Sequence, residues 1–390
     1  MIPQATAWRA GTIVVALLLA WRIITVNAVL YTDDGRPRLI APAGDAVEPG
    51  LAALLADNPA EVAALLVLAQ ERERRGDIAG ATRAYESAVR IAPIDRDTLV
   101  MSSGFFLRQK RGADALLQLD RLVENHGEFD KVFPVFAQQL AAREPGMQAI
   151  AARNPAWLGA FIVDGCRRGS DPLLLAPLLQ RRAAAGKAQG PEVDCVTARL
   201  RAAGKWDVAY QVWLNTLARE RLAEVGNVFN GSFEYEPSNT GFDWRIAAGS
   251  ERDLGHAVAF ATADSGSGKR ALRVTYTGRR QSAPAIEEYL AVPPGRYVLS
   301  GSVRLDQFTS VRGLQWTLRC AGNEGGAGRA LASTERFVGG NEWRAFDTPV
   351  SIPADCAGQV LQLEPVGLGE GTTYVAGSAW FDDLRLTRAR

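Results

Sequence analysis

Histidine is almost missing from this chain. His126 and His256 are the only two in 390 residues, and they lie far apart. A histidine-rich metal centre or a His-based nucleophilic triad therefore lacks its raw material, and both histidines read as surface or loop residues. Excess charge is missing too. There are 44 basic and 43 acidic residues, a net charge of +1, which excludes the electrostatic footprint of a nucleic-acid binder. No GxSxG elbow occurs; "AGSAW" around Ser378 lacks the second glycine. No phosphate-binding or dinucleotide loop occurs either, and "GSG" and "GLGEG" read as turns. Paired carboxylates exist at Glu287–Glu288 and Asp382–Asp383. Neighbours on a strand point to opposite faces, however, so neither pair can flank one scissile bond. The chain is expected not to be an enzyme, and no catalytic residue is assigned.

Cysteine is scarce, with four residues and no CxxC spacing of the zinc or redox kind. They fall as Cys166 with Cys195 and Cys320 with Cys356, each couple inside one segment of uniform texture. Two local disulfides in an oxidising compartment are expected; four buried thiols are the alternative. The N-terminus supports export. Gly11 to Tyr31 is an apolar run of 21 residues broken only by Arg22 and Asn27, long enough to cross a bilayer as a helix. A charge at mid-span costs about 2.5–3.5 kcal/mol, but the long stem of Arg22 lets it snorkel. A cleaved signal peptide ending near "VNA" is the rival reading. The uncleaved anchor is preferred because the apolar run continues past that point. Arg9 before the span favours an N-terminus inside.

Residues 1–31 are thus read as a membrane anchor, and 32–50, rich in Pro, Gly and charge, as a linker. From 51 to 224 the texture is Ala- and Leu-rich with helical periodicity. "GDIAGATRAYESAVRIAP" carries Gly76, Ala81, Tyr85, Ala88 and Pro93; 34 residues on, Ala115, Leu119 and Leu122 occupy matching positions. This alternation of small and large residues resembles the second helix of a tetratricopeptide repeat, where small residues let paired helices approach and a large one fills the next gap. The resemblance implies an α-helical solenoid that recruits a protein partner. Tyr85, Trp157, Trp206 and Trp213 read as repeat core rather than binding groove.

At Val225 the composition changes. "NGSFEYEPSNTGFDW" is turn-rich and aromatic. "RALRVTYTG", "GRYVLSGSVRLD", "GLQWTLRC", "GQVLQLEPVG" and "AWFDDLRLTR" then alternate as strands, with "SGSGK", "PPG" and "GNEGGAG" as turns. About eight strands without helices predict an antiparallel β-sandwich or jelly roll over 225–390. The order "NGSFE", "GKRALRV", "VPPGRYVLSGSVR", "EWRAFDTPVSIP", "AWFDDLRL" resembles the galactose-binding-type jelly roll of bacterial carbohydrate-binding modules, the xylan- and glucan-binding kind. The whole arrangement resembles, more loosely, proteins encoded with bacterial exopolysaccharide machinery. The module resemblance implies a structural calcium joining Glu234 to Asp382 or Asp383, whose oxygens suit that ion; ordinary surface and strand-edge roles are the alternative. It also implies sugar binding on an outward sheet face. Alternation turns Leu314, Trp316, Leu318, Cys320, Leu272, Val274, Tyr276, Leu361, Leu363, Tyr297, Leu299 and Val303 inward. Arg273, Arg304, Gln315, Arg319, Gln362 and Glu364 are left outward as candidates to hydrogen-bond a glycan, with Thr317 beside them; a solvated face is the bland alternative. These outward positions hold no aromatic, so Trp244 and Trp343, near loops, are the candidate platforms.

The expectation is a multidomain α + β protein: a single-pass inner-membrane helix, a periplasmic helical solenoid, and a jelly roll that touches polysaccharide. A purely protein-interacting role in an export or assembly complex is the alternative, and a glycosidase a remoter one.

Overall fold

The structure, a computed structural model, describes residues 29–31, 37–39, 47–263, 268–281, 283–322, 327–368 and 374–389. The chain divides into two compact units, residues 1–157 and 158–390. The expected boundary at 224/225 marks the change from helix to strand; the unit boundary lies four helices earlier.

In the first unit, β1 (Val29–Tyr31) pairs antiparallel with β2 (Pro37–Leu39). The last three residues of the expected membrane helix are therefore strand, in keeping with the β propensity of Val and Tyr. The rest of that expected span lies outside the described residues. No helix among the described residues is long and apolar enough to cross a membrane. Residues 32–50 are not linker throughout, because α1 (Val47–Asp57) begins inside them. Then come α2 (Val62–Arg74), α3 (Ile78–Ile91), α4 (Arg96–Arg108) and α5 (Gly112–His126). The α2–α3 pair recurs as α4–α5 after 34 residues, from Val62 to Arg96 and from Ile78 to Gly112. The tight turns between partners are also 34 apart and use a left-handed residue, Gly76 (φ 83°) and then Lys110 (φ 58°), the first at no steric cost. Asp77 and Asp95 cap α3 and α4 by accepting from the N–H of Gly80 and Thr98 at 2.8 and 2.9 Å. Ala81, Tyr85, Ala88, Ala115, Leu119 and Leu122 are all buried, and Tyr85 packs on Phe105 with centroids 4.7 Å apart. The unit continues through α6 (Phe129–Ala141) and α7 (Pro145–Arg153) and ends at Trp157. This indole stacks on Phe136 at 4.6 Å and donates to the buried Asp120 carboxylate at 3.0 Å.

The second unit opens with α8 (Leu158–Arg167), α9 (Pro172–Ala184), α10 (Gly190–Ala202) and α11 (Trp206–Leu214). A disulfide joins Cys166 on α8 to Cys195 on α10. A 3-10 turn (Arg219–Glu224) leads into the sandwich. Its ten strands, among the described residues, are β3 (Arg245–Ile246), β4 (His256–Thr262), β5 (Arg270–Arg280), β6 (Ile286–Leu290), β7 (Gly295–Ser310), β8 (Leu314–Ala321), β9 (Ala327–Ser333), β10 (Asn341–Ile352), β11 (Gln359–Pro365) and β12 (Tyr374–Arg388). One short helix, α12 (Glu251–Leu254), interrupts them. They form two five-stranded antiparallel sheets, ordered β10-β7-β12-β5-β4 and β3-β6-β11-β8-β9. Every residue that alternation turned inward is buried between them. The second disulfide ties Cys320 on β8 to Cys356 just before β11.

The stretch "NGSFEYEPSNTGFDW" is the joint between α11 and the sandwich. Trp213 of α11 packs edge-on against Phe229 at 4.8 Å and near Phe242 at 5.7 Å. Gly241 lies under Trp213 at φ 61°, where an added Cβ would come within 2.2 Å of the indole. Asn230, buried and left-handed (φ 48°), closes the turn by donating to Tyr235 O at 2.8 Å and accepting its N–H at 3.2 Å. The start and end of the sandwich meet here, as Leu384 N–H donates to Gly231 O at 2.8 Å.

Candidate functional site

Strand register sorts the sequence-predicted sugar contacts into two sets on opposite outer faces. Gln315, Arg319, Gln362 and Glu364 share the outer face of the β3-β6-β11-β8-β9 sheet. Arg273, Arg304 and Trp343 share the outer face of the other. Trp244 is on neither. It is fully buried between Phe233 at 5.4 Å and Trp316 at 5.6 Å, and its Nε1–H donates to Asn230 O at 3.2 Å. Its loop-like surroundings in sequence hide a core position.

On the first face a polar row crosses all five strands. Arg245 pairs with Glu287, Glu287 with Gln362, Gln362 with Thr317, and Thr317 with Ser333. The side chains match one another. Gln362 Nε2 donates to Glu287 Oε2 at 2.9 Å, Gln315 Nε2 to Thr317 Oγ1 at 3.2 Å, and Arg319 to Glu364 Oε1 at 2.7 Å. This is not a solvated face. Thr317, Gln362 and Glu364 expose only 1%, 6% and 4% of their surface. Burial of polar groups at that level is sustained because each has a partner. Helices α10 and α11 roof part of the face. The Arg201 guanidinium stacks on Tyr289 at 4.0 Å and donates to Gly241 O at 2.9 Å. Burial pulls it down to about 10, still charged at neutral pH. Arg245 pairs with Asp194 of α10 at 2.6 Å. Trp206 lies so close to Gly358 that a Cβ there would come within 2.0 Å of the indole. The open part is a cleft of about 750 Å³, within the roughly 300–1,000 Å³ range of small-ligand sites, and it is lined by Asn239, Arg245, Ile246, Ala247, Ala248, Gly249, Ala283, Pro284, Ile286 and Glu287.

On the second face Trp343, Arg304, Trp380 and Arg273 follow one another across β10, β7, β12 and β5. Arg304 and Arg273 stand in register on either side of Trp380. A bulge between Asn341 and Arg344 sets the register of Trp343. Arg304 lies 4.6 Å from the Trp380 ring and 5.5 Å from Trp343, and Arg273 lies 5.4 Å from Trp380. Trp380 is the aromatic missing from the outward set. Alternation along "AWFDDL", with Phe381 inward, would have found it.

The adjacent carboxylates do face opposite ways. Glu287 joins the polar row, whereas Glu288 points inward, buried, and accepts the Phe229 N–H at 2.7 Å. Burial raises Glu288 well above its ordinary value of 4.5. The expected calcium ligands are engaged otherwise. Glu234 Oε1 accepts the N–H groups of Lys269 and Arg270 at 2.8 and 3.0 Å. Asp382 Oδ1 accepts the Asp383 N–H at 2.7 Å, and Asp383 pairs with Arg385 at 2.7 Å. No group of three or more His, Cys, Asp and Glu able to hold a metal occurs among the described residues.

No family model matches the chain, and no curated protein does. Among solved structures it is similar to a CBM4 module, at 15% identity with TM-score 0.31 over 42% of this chain and 99% of that one. It is also similar to the CBM22-1 xylan-binding domain from Paenibacillus barcinonensis Xyn10C, at 18% identity and TM-score 0.27 over 41% and 93% of the two chains. A third is TmCBM61, solved with β-1,4-galactotriose, at 17% identity and TM-score 0.26 over 43% and 98%. Likeness at this level does not assign a ligand.

Proposed function

We propose that the protein is a non-enzymatic glycan-binding scaffold of the bacterial cell envelope, acting in exopolysaccharide or other surface-polysaccharide assembly or export. The observation that carries the binding half is the open end of the polar row, where Arg245 and Glu287 line a cleft of about 750 Å³ and are pre-set by Asp194 and Gln362. Donors and acceptors held in place lose little entropy when they meet sugar hydroxyls. In this reading the 34-residue helix pairs are tetratricopeptide-like and recruit a protein partner, and the N-terminal segment holds the bulk in the periplasm. The disulfides Cys166–Cys195 and Cys320–Cys356 support an oxidising compartment.

The test is a glycan array probed with the full chain, spanning neutral xylans, glucans and galactans. Saturable binding lost in Arg245→Ala and Glu287→Gln is the expected result. Capture of a protein partner with no glycan bound by any array member would replace this reading with a purely protein-interacting one.

A further inference from the structure

The arginines of the second face are held differently from the ion-paired arginines of the sandwich. Arg319, Arg344, Arg329 and Arg385 each hold a carboxylate within 2.5–2.7 Å. Arg304 and Arg273 have no ion-pair or hydrogen-bond partner among the described residues. They are instead laid against indole rings, which fixes the guanidinium planes by cation–π contact and leaves their N–H forks uncommitted. Nε of Arg304 and Nε1 of both Trp343 and Trp380 are enclosed and without a partner, and Trp380 is only 8% exposed. The outer guanidinium nitrogens of Arg304 and Arg273, which no acceptor among the described residues engages, are open to a charged acceptor from outside. With adjacent strands about 4.8 Å apart, the row runs about 14 Å across four strands. At the Arg304 end it meets a cleft of about 570 Å³ lined by Arg304, Leu305, Asp306, Gly340, Asn341 and Glu342, whose carboxylates suit sugar hydroxyls.

We infer that this face is a second binding site, separate from the cleft at Arg245 and Glu287, and that it takes a polysaccharide bearing oxyanions. The carboxylate or sulfate groups would sit in the Arg304 and Arg273 forks, and a sugar ring would lie along Trp343, beside the Arg304 end of the row. Arg matches carboxylate and sulfate oxygens with two parallel bonds, which a neutral sugar cannot supply.

The experiment is affinity electrophoresis of the full chain in gels holding polygalacturonate, dextran sulfate or uncharged dextran, with flotation on phosphatidylcholine/phosphatidylglycerol vesicles as a fourth arm. Retardation by one or both anionic polymers and none by dextran is expected, weakening from about 50 to about 200 mM salt. Polygalacturonate alone identifies a carboxylated polymer and dextran sulfate alone a sulfated one. Arg273→Ala with Arg304→Ala should weaken retardation by roughly tenfold or more. Arg304→Lys, which keeps the charge but not the fork, should remain weakened. Gln362→Ala on the opposite face should change nothing here, whatever it does on the glycan array, so the two sites fail separately. No retardation by either anionic polymer, retardation indifferent to the double substitution in a variant with unchanged Tm, or capture by vesicles alone would overturn the proposal.

Discussion

The two outer faces of the sandwich are built from similar residue types and reach opposite electrostatic states. On the β3-β6-β11-β8-β9 face, Arg319 and Arg245 are matched by Glu364 and Asp194, and the row between them is closed by amide and hydroxyl hydrogen bonds. On the β10-β7-β12-β5-β4 face, Arg304 and Arg273 lean on tryptophans without a carboxylate. The difference arises because β11 lies next to β8, so that Arg319 reaches the Glu364 carboxylate along the face, whereas Trp380 stands between Arg273 and Arg304. Contacts between strands therefore decide which side chains of a polar face are tied into the fold's own bonding and which keep open valences.

The largest expected effect comes from stripping the roof off the matched face. Trp213→Ala removes a fully buried indole from between Phe229 and Phe242 and should cost about 3–5 kcal/mol in urea unfolding of the full chain. Anion-polymer retardation below the unfolding midpoint should be unchanged, since Trp213 packs on Phe229 and Phe242 at the joint, whereas Arg304 lies on the outer face of the other sheet. Reducing Cys320–Cys356, which closes a 36-residue separation next to the matched face, should cost about 3–4 kcal/mol by loss of the loop constraint. A Tm indifferent to reductant would break that expectation.

The sharpest comparison is between arginines. Arg319→Ala leaves the buried Glu364 carboxylate without its guanidinium and should cost about 1–3 kcal/mol. Arg304→Ala strands no buried charge and loses only cation–π contact, so it should cost less, about 0.5–1 kcal/mol. Equal losses would erase the distinction between the faces. Glu288, inward on the same sheet, titrates with a definite sign. Its folded value is raised above 4.5 by burial. Below that pH both states hold the proton and stability is unaffected. As pH rises the unfolded chain ionises first, and stability falls until the folded carboxyl also ionises. Glu288→Gln should match wild type near pH 4 and exceed it at pH 8 in denaturant titrations; a mutant weaker at pH 8 would contradict this. The smallest effect expected is none. EGTA should leave Tm unchanged, and a rise on adding calcium would restore the metal inferred by resemblance for Glu234 and Asp382 or Asp383.

Much of this architecture was legible in the sequence. The 34-residue recurrence places the paired helices because burial of small residues needs that spacing. Strict alternation on β5, β7, β8, β11 and β12 separates core from outer face because the pleat has period two. Short strands such as β3 and β6 escaped, since two to five residues give alternation too little length. Trp244 was misplaced because loop-like composition says nothing of the cavity between Phe233 and Trp316. The pairing of Gln362 with Glu287, 75 residues apart in sequence, depends on strand order, which local pattern does not encode. The same holds for Trp380 and its two arginines.

Hydrogen–deuterium exchange of the full chain, with and without a glycan retained on the array, tests the binding claim most directly. Added protection is expected in peptides covering 239–249, 286–290 and 359–365, the strands and loop around the Arg245–Glu287 cleft. Protection confined to the helices, or none in any of these peptides at saturating glycan, would contradict it.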